Sequence, residues 1–169
     1  MSLVDIIQEV NAIAAKHGVG IIEHVEDRIV GIKVRDYYEC PAAAVILPAH
    51  KDLERYVCTI HENAFKETID KEWAYLVYAG LWYEPLLTNI NAFINTMNQK
   101  VVGEVTVKVF KGKATVVARD SKNALYDKHH ATFMSDDNFA QDDAVGFIKH
   151  WGLQTVLSNQ IARKNSSKT

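Results

Sequence analysis

Between Glu26 and Tyr38 the sequence concentrates groups that could bind a small charged molecule: Glu26, Asp27, Arg28, Lys33, Arg35, Asp36, Tyr37 and Tyr38. A carboxylate and a phenol near a strand end can hold a zwitterionic amino acid. The carboxylate faces the ammonium, and the hydroxyl supplies an orienting hydrogen bond. The same residue types also form surface ion-pair clusters, each worth little, and by residue type alone that is the commoner outcome. Both readings stand at this point.

Other candidate constellations carry less. Cys58-Thr-Ile-His61 offers two zinc-ligand types, but a zinc site needs about four ligands and no second pair has compatible spacing. A core cysteine beside a surface histidine is the simpler reading, and no metal ligand is assigned. His129 and His130 are adjacent in a polar stretch and read as solvated loop residues. No glycine-rich phosphate loop and no Gly-x-Ser-x-Gly elbow occurs. Lys33, Arg35, Lys108, Lys111, Lys113 and Arg119 are interleaved with acidic residues, which argues against a nucleic-acid surface.

Elements must position these groups. Ser2, with Asp5 three residues on, opens an amphipathic helix along Val4, Ile7, Val10 and Ala14, and Gly18 ends it. Ile21–Glu26 and Ile29–Val34 read as two strands joined through Asp27-Arg28, with 35–39 as an exposed segment. Cys40-Pro41 marks a helix start. From Ala42 to about Asn98 the pattern is helical, divided near Asp52 and Asp70, with a new start at Glu84-Pro85. The period then becomes two: Val101–Phe110 and Ala114–Arg119 form a β-hairpin around Lys111-Gly112-Lys113. Residues 120–139 read as irregular. A helix opens at Asp142-Asp143-Ala144, Gly152 interrupts it, a last helix spans about Leu153–Arg163, and 165–169 fray. Trp73, Trp82 and Trp151 are read as core residues. Strands and helices are grouped rather than alternating, so the fold class is α+β: antiparallel strands and a hairpin packed with a helical group.

Composition sets outer limits. With 169 residues, 48% hydrophobic, 24% charged and a net charge of −2, the chain resembles ordinary globular proteins and has no global attraction to nucleic acid or anionic membrane. No apolar run is long enough for a transmembrane helix, and no secretory signal is expected. Cys40 and Cys58 read as reduced thiols of a cytoplasmic protein.

Longer strings point to a family. His17-Gly-Val-Gly, His24-Val-Glu-Asp-Arg-Ile-Val-Gly-Ile-Lys and Tyr38-Glu-Cys-Pro-Ala-Ala closely resemble the C-terminal part of argininosuccinate synthase. So do Lys71-Glu-Trp-Ala-Tyr-Leu-Val-Tyr-Ala-Gly-Leu-Trp, Val109-Phe-Lys-Gly-Lys, Ala124-Leu-Tyr-Asp and Ala144-Val-Gly-Phe-Ile-Lys-His-Trp-Gly-Leu. The resemblance implies an AMP-forming ligase of arginine biosynthesis that joins citrulline to aspartate at the expense of ATP, with Mg²⁺. It implies that the citrulline-binding positions here are Glu26 and Tyr38, and it assigns no catalytic residue in this chain. It further implies a cytoplasmic homotetramer, with 1–152 as the C-terminal part of the synthetase domain and 153–169 as an oligomerisation helix and tail.

The family's phosphate loop, most of its aspartate contacts and its citrulline-contacting serines lie upstream of the resembling region. The expected partner is therefore a nucleotide-binding domain missing from this chain, and the chain alone is expected to be inactive with no cofactor bound. The alternative is a stand-alone amino-acid-binding or oligomerisation module. The sequence departs from the family pattern at Val34, where serine is usual, at Ile21, where arginine is common, and at Lys122, which replaces a proline.

Overall fold

Ser2 caps the first helix as its sequence predicts. Its hydroxyl accepts the Asp5 N–H at 3.2 Å, and the Asp5 carboxylate accepts the Ser2 N–H at 3.0 Å. In this computed structural model, which describes residues 1–130 and 141–166, the chain divides into two units, Met1–Tyr126 and Asp127–Thr169. The first unit runs α1 (Leu3–Ala15), β1 (Ile21–Asp27), β2 (Lys33–Glu39), α2 (Pro41–Val57), α3 (Ile60–Tyr78), α4 (Pro85–Asn98), β3 (Glu104–Phe110) and β4 (Lys113–Asp120). Each sheet is a two-stranded antiparallel ladder, β1 with β2 and β3 with β4, so the α+β class holds.

The first hairpin differs from its sequence reading. The second strand is Lys33–Glu39 rather than residues 29–34, and the connection spans residues 28–32. Gly31 takes φ +88 there, a conformation that turns the chain instead of extending it. The turn is closed by Arg28 N–H donating to the Ile32 carbonyl and Gly31 N–H to the Arg28 carbonyl, both at 2.8 Å. Residues 35–39 thereby pair with β1, from Asp27 opposite Lys33 to Ile21 opposite Glu39. The second hairpin follows its reading closely: Val105, Val107 and Val109 form the half-buried face, laid against α2.

Helix boundaries are shifted as well. The chain breaks at Cys58-Thr59, and α3 continues through Asp70. The cause is a second capping box: the Thr59 hydroxyl accepts the Glu62 N–H and the Glu62 carboxylate accepts the Thr59 N–H. Pro41 and Pro85 both stand in the first turn of their helices, as predicted. Helix α2 has no side-chain cap of its own; Asn11 of α1 supplies one, accepting the Ala42 N–H at 2.7 Å.

The core has two centres. Leu53, Val57, Cys58 and Met97 pack with Tyr56, Phe93, Val101 and Val105, while Leu76, Leu87 and Ile90 pack with Ile69, Val77 and Ile94. Cys58 is buried there and His61 is exposed, as expected. Helices α2 and α3 are also tied by charge: buried Lys66 lies 3.0 Å from buried Glu54 and 2.8 Å from Asp70. Burial pulls the Lys66 pKa down, but hydrogen bonds to Asp70 and Glu54 outweigh it and the net shift is upward, so the ammonium keeps its charge. The tryptophans depart from their reading: Trp73, Trp82 and Trp151 are 38%, 61% and 79% exposed.

In the second unit, short 3₁₀ turns at Lys128–His130 and Gln141–Asp143 precede α5 (Ala144–Trp151) and α6 (Leu153–Ser166), with Gly152 between the helices as predicted. Asn165 and Ser166 belong to α6 rather than to a frayed tail, whereas 167–169 lie outside the described residues, as does the expected irregular stretch 131–139. His129 and His130 are exposed, and the His130 ring lies 2.7 Å from Asp127. Among the described residues no helix is long and apolar enough to cross a membrane.

Two outcomes test this account. Gly20 has φ +96, and a Cβ there would overlap the Pro41 backbone at the start of α2. Gly20→Ala should cost about 2–5 kcal/mol, combining left-handed strain with overlap against immobile backbone, measured as a lower urea midpoint at unchanged slope. Glu62 forms an ion pair with Lys100, and that hydrogen bond, followed by those from Thr59, lowers its pKa from 4.5 to about 2. A depressed carboxylate stabilises the fold above its unfolded value and loses that contribution as pH falls from 4.5 through about 2. Glu62→Gln keeps the capping geometry but removes the charge. Denaturation across that window should show a loss of about 0.5–1 kcal/mol at its upper end, for a pair partly exposed to water, vanishing at its lower end.

Candidate functional site

Pairing of β1 with β2 sorts the charged segment by parity. Alternate residues of an antiparallel ladder point to opposite faces, so His24 and Glu26 of β1 share a face with Val34, Asp36 and Tyr38 of β2. Arg28, two residues beyond Glu26, continues that face into the turn. Asp27, Lys33, Arg35, Glu23 and Tyr37 fall on the other face. There Lys33 pairs with Asp27 and Arg35 with Glu23, each at 2.6 Å, and the Arg35 guanidinium lies over the Tyr37 ring. These are the exposed ion pairs that the bland reading describes.

The first face is a single network centred on Glu26. Its Oε1 forms an ion pair with Arg28 Nη1 at 2.9 Å and accepts from the Tyr38 hydroxyl at 3.1 Å, while its Oε2 lies 2.9 Å from His24 Nε2. The second terminal nitrogen of Arg28 bonds Asp36, and the Tyr38 oxygen also stands 3.3 Å from Asp36. A phenol has one proton, so Tyr38 donates to one of the two carboxylates at a time. Tyr38 lies two same-face positions from Glu26 along the ladder. It reaches Glu26 by leaning beside the His24 ring, 5.4 Å between centroids.

The electrostatics follow from these contacts. The His24 hydrogen bond, then that of Tyr38 and the positive charge of Arg28, lower the Glu26 pKa. The Tyr78 hydroxyl of α3, an acceptor for the guanidinium, then the charges of Glu26 and Asp36, raise that of Arg28. Partial burial and the bond to Glu26 raise that of Tyr38, which stays a neutral donor. Two carboxylates therefore face one guanidinium, and with His24 neutral the cluster is net anionic. It suits an ammonium group. Among the described residues no group of three or more His, Cys, Asp or Glu side chains could hold a metal ion.

Both sequence-predicted site residues, Glu26 and Tyr38, thus meet directly, and Arg28 and Asp36 join them. His24 is a member that sequence reasoning missed. Its signal was present, since His24 stands two residues before Glu26 on the same strand. Val34, the departure from the family pattern, stands directly opposite Glu26 and gives it an apolar neighbour. Ile21 is exposed at the far end of the ladder. A separate open cleft of about 440 Å³, lined by Glu62, Phe93, Met97 and Lys100 among others, contains none of the cluster residues.

Comparison with known proteins agrees with the strings noted above. A family model described as the arginosuccinate synthase C-terminal domain matches residues 1–158. The chain is 48% identical over 161 residues to argininosuccinate synthase of Streptococcus thermophilus, covering 95% of this chain and 40% of that protein. It is 47% identical over 164 residues to the Streptococcus mutans enzyme of that name (97% and 41%), and 50% identical over 158 residues to that of Pyrococcus furiosus (94% and 38%). The chain spans about 40% of the length of the relatives it matches. From the extent and identity of these matches, the chain belongs to the argininosuccinate synthase C-terminal domain family.

Proposed function

We propose that this chain supplies the C-terminal part of an argininosuccinate synthase, a cytoplasmic ligase that joins citrulline to aspartate and converts ATP to AMP and pyrophosphate. Glu26 and Tyr38 then form part of its citrulline site. The observation that carries this reading is the 3.1 Å contact between them inside a net anionic cluster on one face of a hairpin. In this role Glu26 accepts the amino-acid ammonium and Tyr38 orients the ligand through its hydroxyl. ATP and Mg²⁺ are not assigned to this chain, whose sequence has no phosphate loop. Those groups fall to the nucleotide-binding part of the enzyme.

The reading extends to assembly. No residue of α5 or α6 is buried, and Phe147, Ile148, Trp151, Val156 and Ile161 are each more than half exposed, with the Phe147 and Trp151 rings stacked. An apolar stripe of this kind is costly in water and marks an interaction surface. The proposed partner is further copies of the chain, as a tetramer.

Both parts have direct tests. In the complete enzyme, Glu26→Gln should raise the citrulline KM roughly ten- to a hundredfold, the worth of about 1.5–3 kcal/mol for a charge-assisted hydrogen bond. ATP affinity should hardly move. Tyr38→Phe removes a neutral bond and should cost less, about 0.5–1.5 kcal/mol. A cluster serving only as a surface ion-pair network would leave citrulline KM and kcat unchanged in Glu26→Gln, and that result would overturn the site. For assembly, light scattering should give a multimeric mass that falls on Trp151→Glu; a monomer at high concentration would exclude the oligomer.

A further inference from the structure

Glu26 has two carboxylate oxygens, and the surrounding groups do not share them equally. Arg28 and Tyr38 both take Oε1, whereas Oε2 is held, among the described residues, by His24 alone, at 2.9 Å. An ammonium approaching Glu26 therefore meets its open coordination at the oxygen that His24 holds. Histidine is the side chain type that can change charge near neutral pH, and the His24 side chain is exposed.

The charge count gives this position consequence. Glu26 on the same strand, Asp36 and Tyr38 on β2, Arg28 in the turn and Tyr78 of α3 beyond Arg28 are the titratable and charged groups around it. The two tyrosines are neutral, Arg28 offsets one carboxylate, and one negative charge is left. Neutral His24 leaves that charge for a ligand. Protonated His24 forms its own ion pair with Oε2, and the cluster becomes neutral.

We propose that His24 is a positioning residue that makes amino-acid capture by Glu26 pH-responsive: when neutral it donates one hydrogen bond to Oε2 and leaves the carboxylate charge to an α-ammonium, and when protonated it competes with that ammonium for the same oxygen. This rests on the citrulline site proposed above and adds its regulation. Proton traffic is simple. The imidazolium keeps its proton on Nε2 while paired with Glu26, and on losing its Nδ1 proton to water it remains a neutral Nε2–H donor.

The test is the citrulline KM of the complete enzyme between about pH 5 and pH 8, the range of histidine titration. The wild-type KM should rise about three- to tenfold toward the acid end, as expected for a competing, partly exposed ion pair, without a matching change in kcat. His24→Gln places a neutral amide nitrogen near the position of Nε2, and His24→Asn is neutral but shorter. Both should flatten the KM profile, and His24→Asn should also shift its level. A merely structural His24 would move the level and leave the slope, so a wild-type slope retained in either variant overturns the proposal. Glu26→Gln separates the two readings. Unchanged citrulline KM in that variant removes the citrulline site and this inference with it. A raised KM, with the wild-type slope kept in the His24 variants, removes only the role of His24.

Discussion

The register of a single two-stranded ladder decides what this chain can bind. Opposite Glu26 stands Val34 and opposite His24 stands Asp36, and from those pairings follows every contact of the anionic cluster. Slipping β2 by one residue would bring Lys33, Arg35 and Tyr37 onto the Glu26 face and send Asp36 and Tyr38 to the other. The turn at residues 28–32 holds the register, and Arg28 both closes that turn through its backbone and bridges two carboxylates through its side chain. Local backbone geometry and site chemistry are thus set by the same few residues.

An isolated two-stranded hairpin is marginal in water, so its attachment matters. At its base, Gly20 passes against the Pro41 backbone and its carbonyl accepts the Cys40 N–H at 2.9 Å, which fixes the ladder's end to the start of α2. Near its turn, Arg28 lies beside the Tyr78 hydroxyl of α3, which raises its pKa. Helix α2 in turn is capped by Asn11 of α1 and packs Leu53 and Val57 into the core. The hairpin is therefore held by the helical group at points that a slip of the ladder would break.

The second unit follows different physics. Helices α5 and α6 bury nothing among the described residues and carry aromatic and aliphatic side chains into solvent. Elements α1 to β4 have a core; α5 and α6 have an apolar surface in search of one. A helix of mixed polarity with no buried residue gains little from its own chain, and its stability depends on what covers it.

Much of this was legible from residue order alone. The capping box at Ser2, the proline starts at Pro41 and Pro85, the β3–β4 hairpin, the interruption at Gly152 and the family itself all rest on short-range patterns, since caps, turns and period-two alternation act within a few residues. The Thr59–Glu62 capping box is equally local but lies inside a long helical pattern that masks it. A shared citrulline-binding role for Glu26 and Tyr38 is implied by family resemblance, whereas the chemistry of residue types alone favours an ion-pair cluster. Only tertiary structure decided that β2 begins at Lys33, that His24 completes the cluster, that Tyr78 reaches Arg28 and that the tryptophans lie exposed. Each of these depends on which distant segment arrives alongside: ladder register is a property of two strands, and burial is a property of all the elements that pack together.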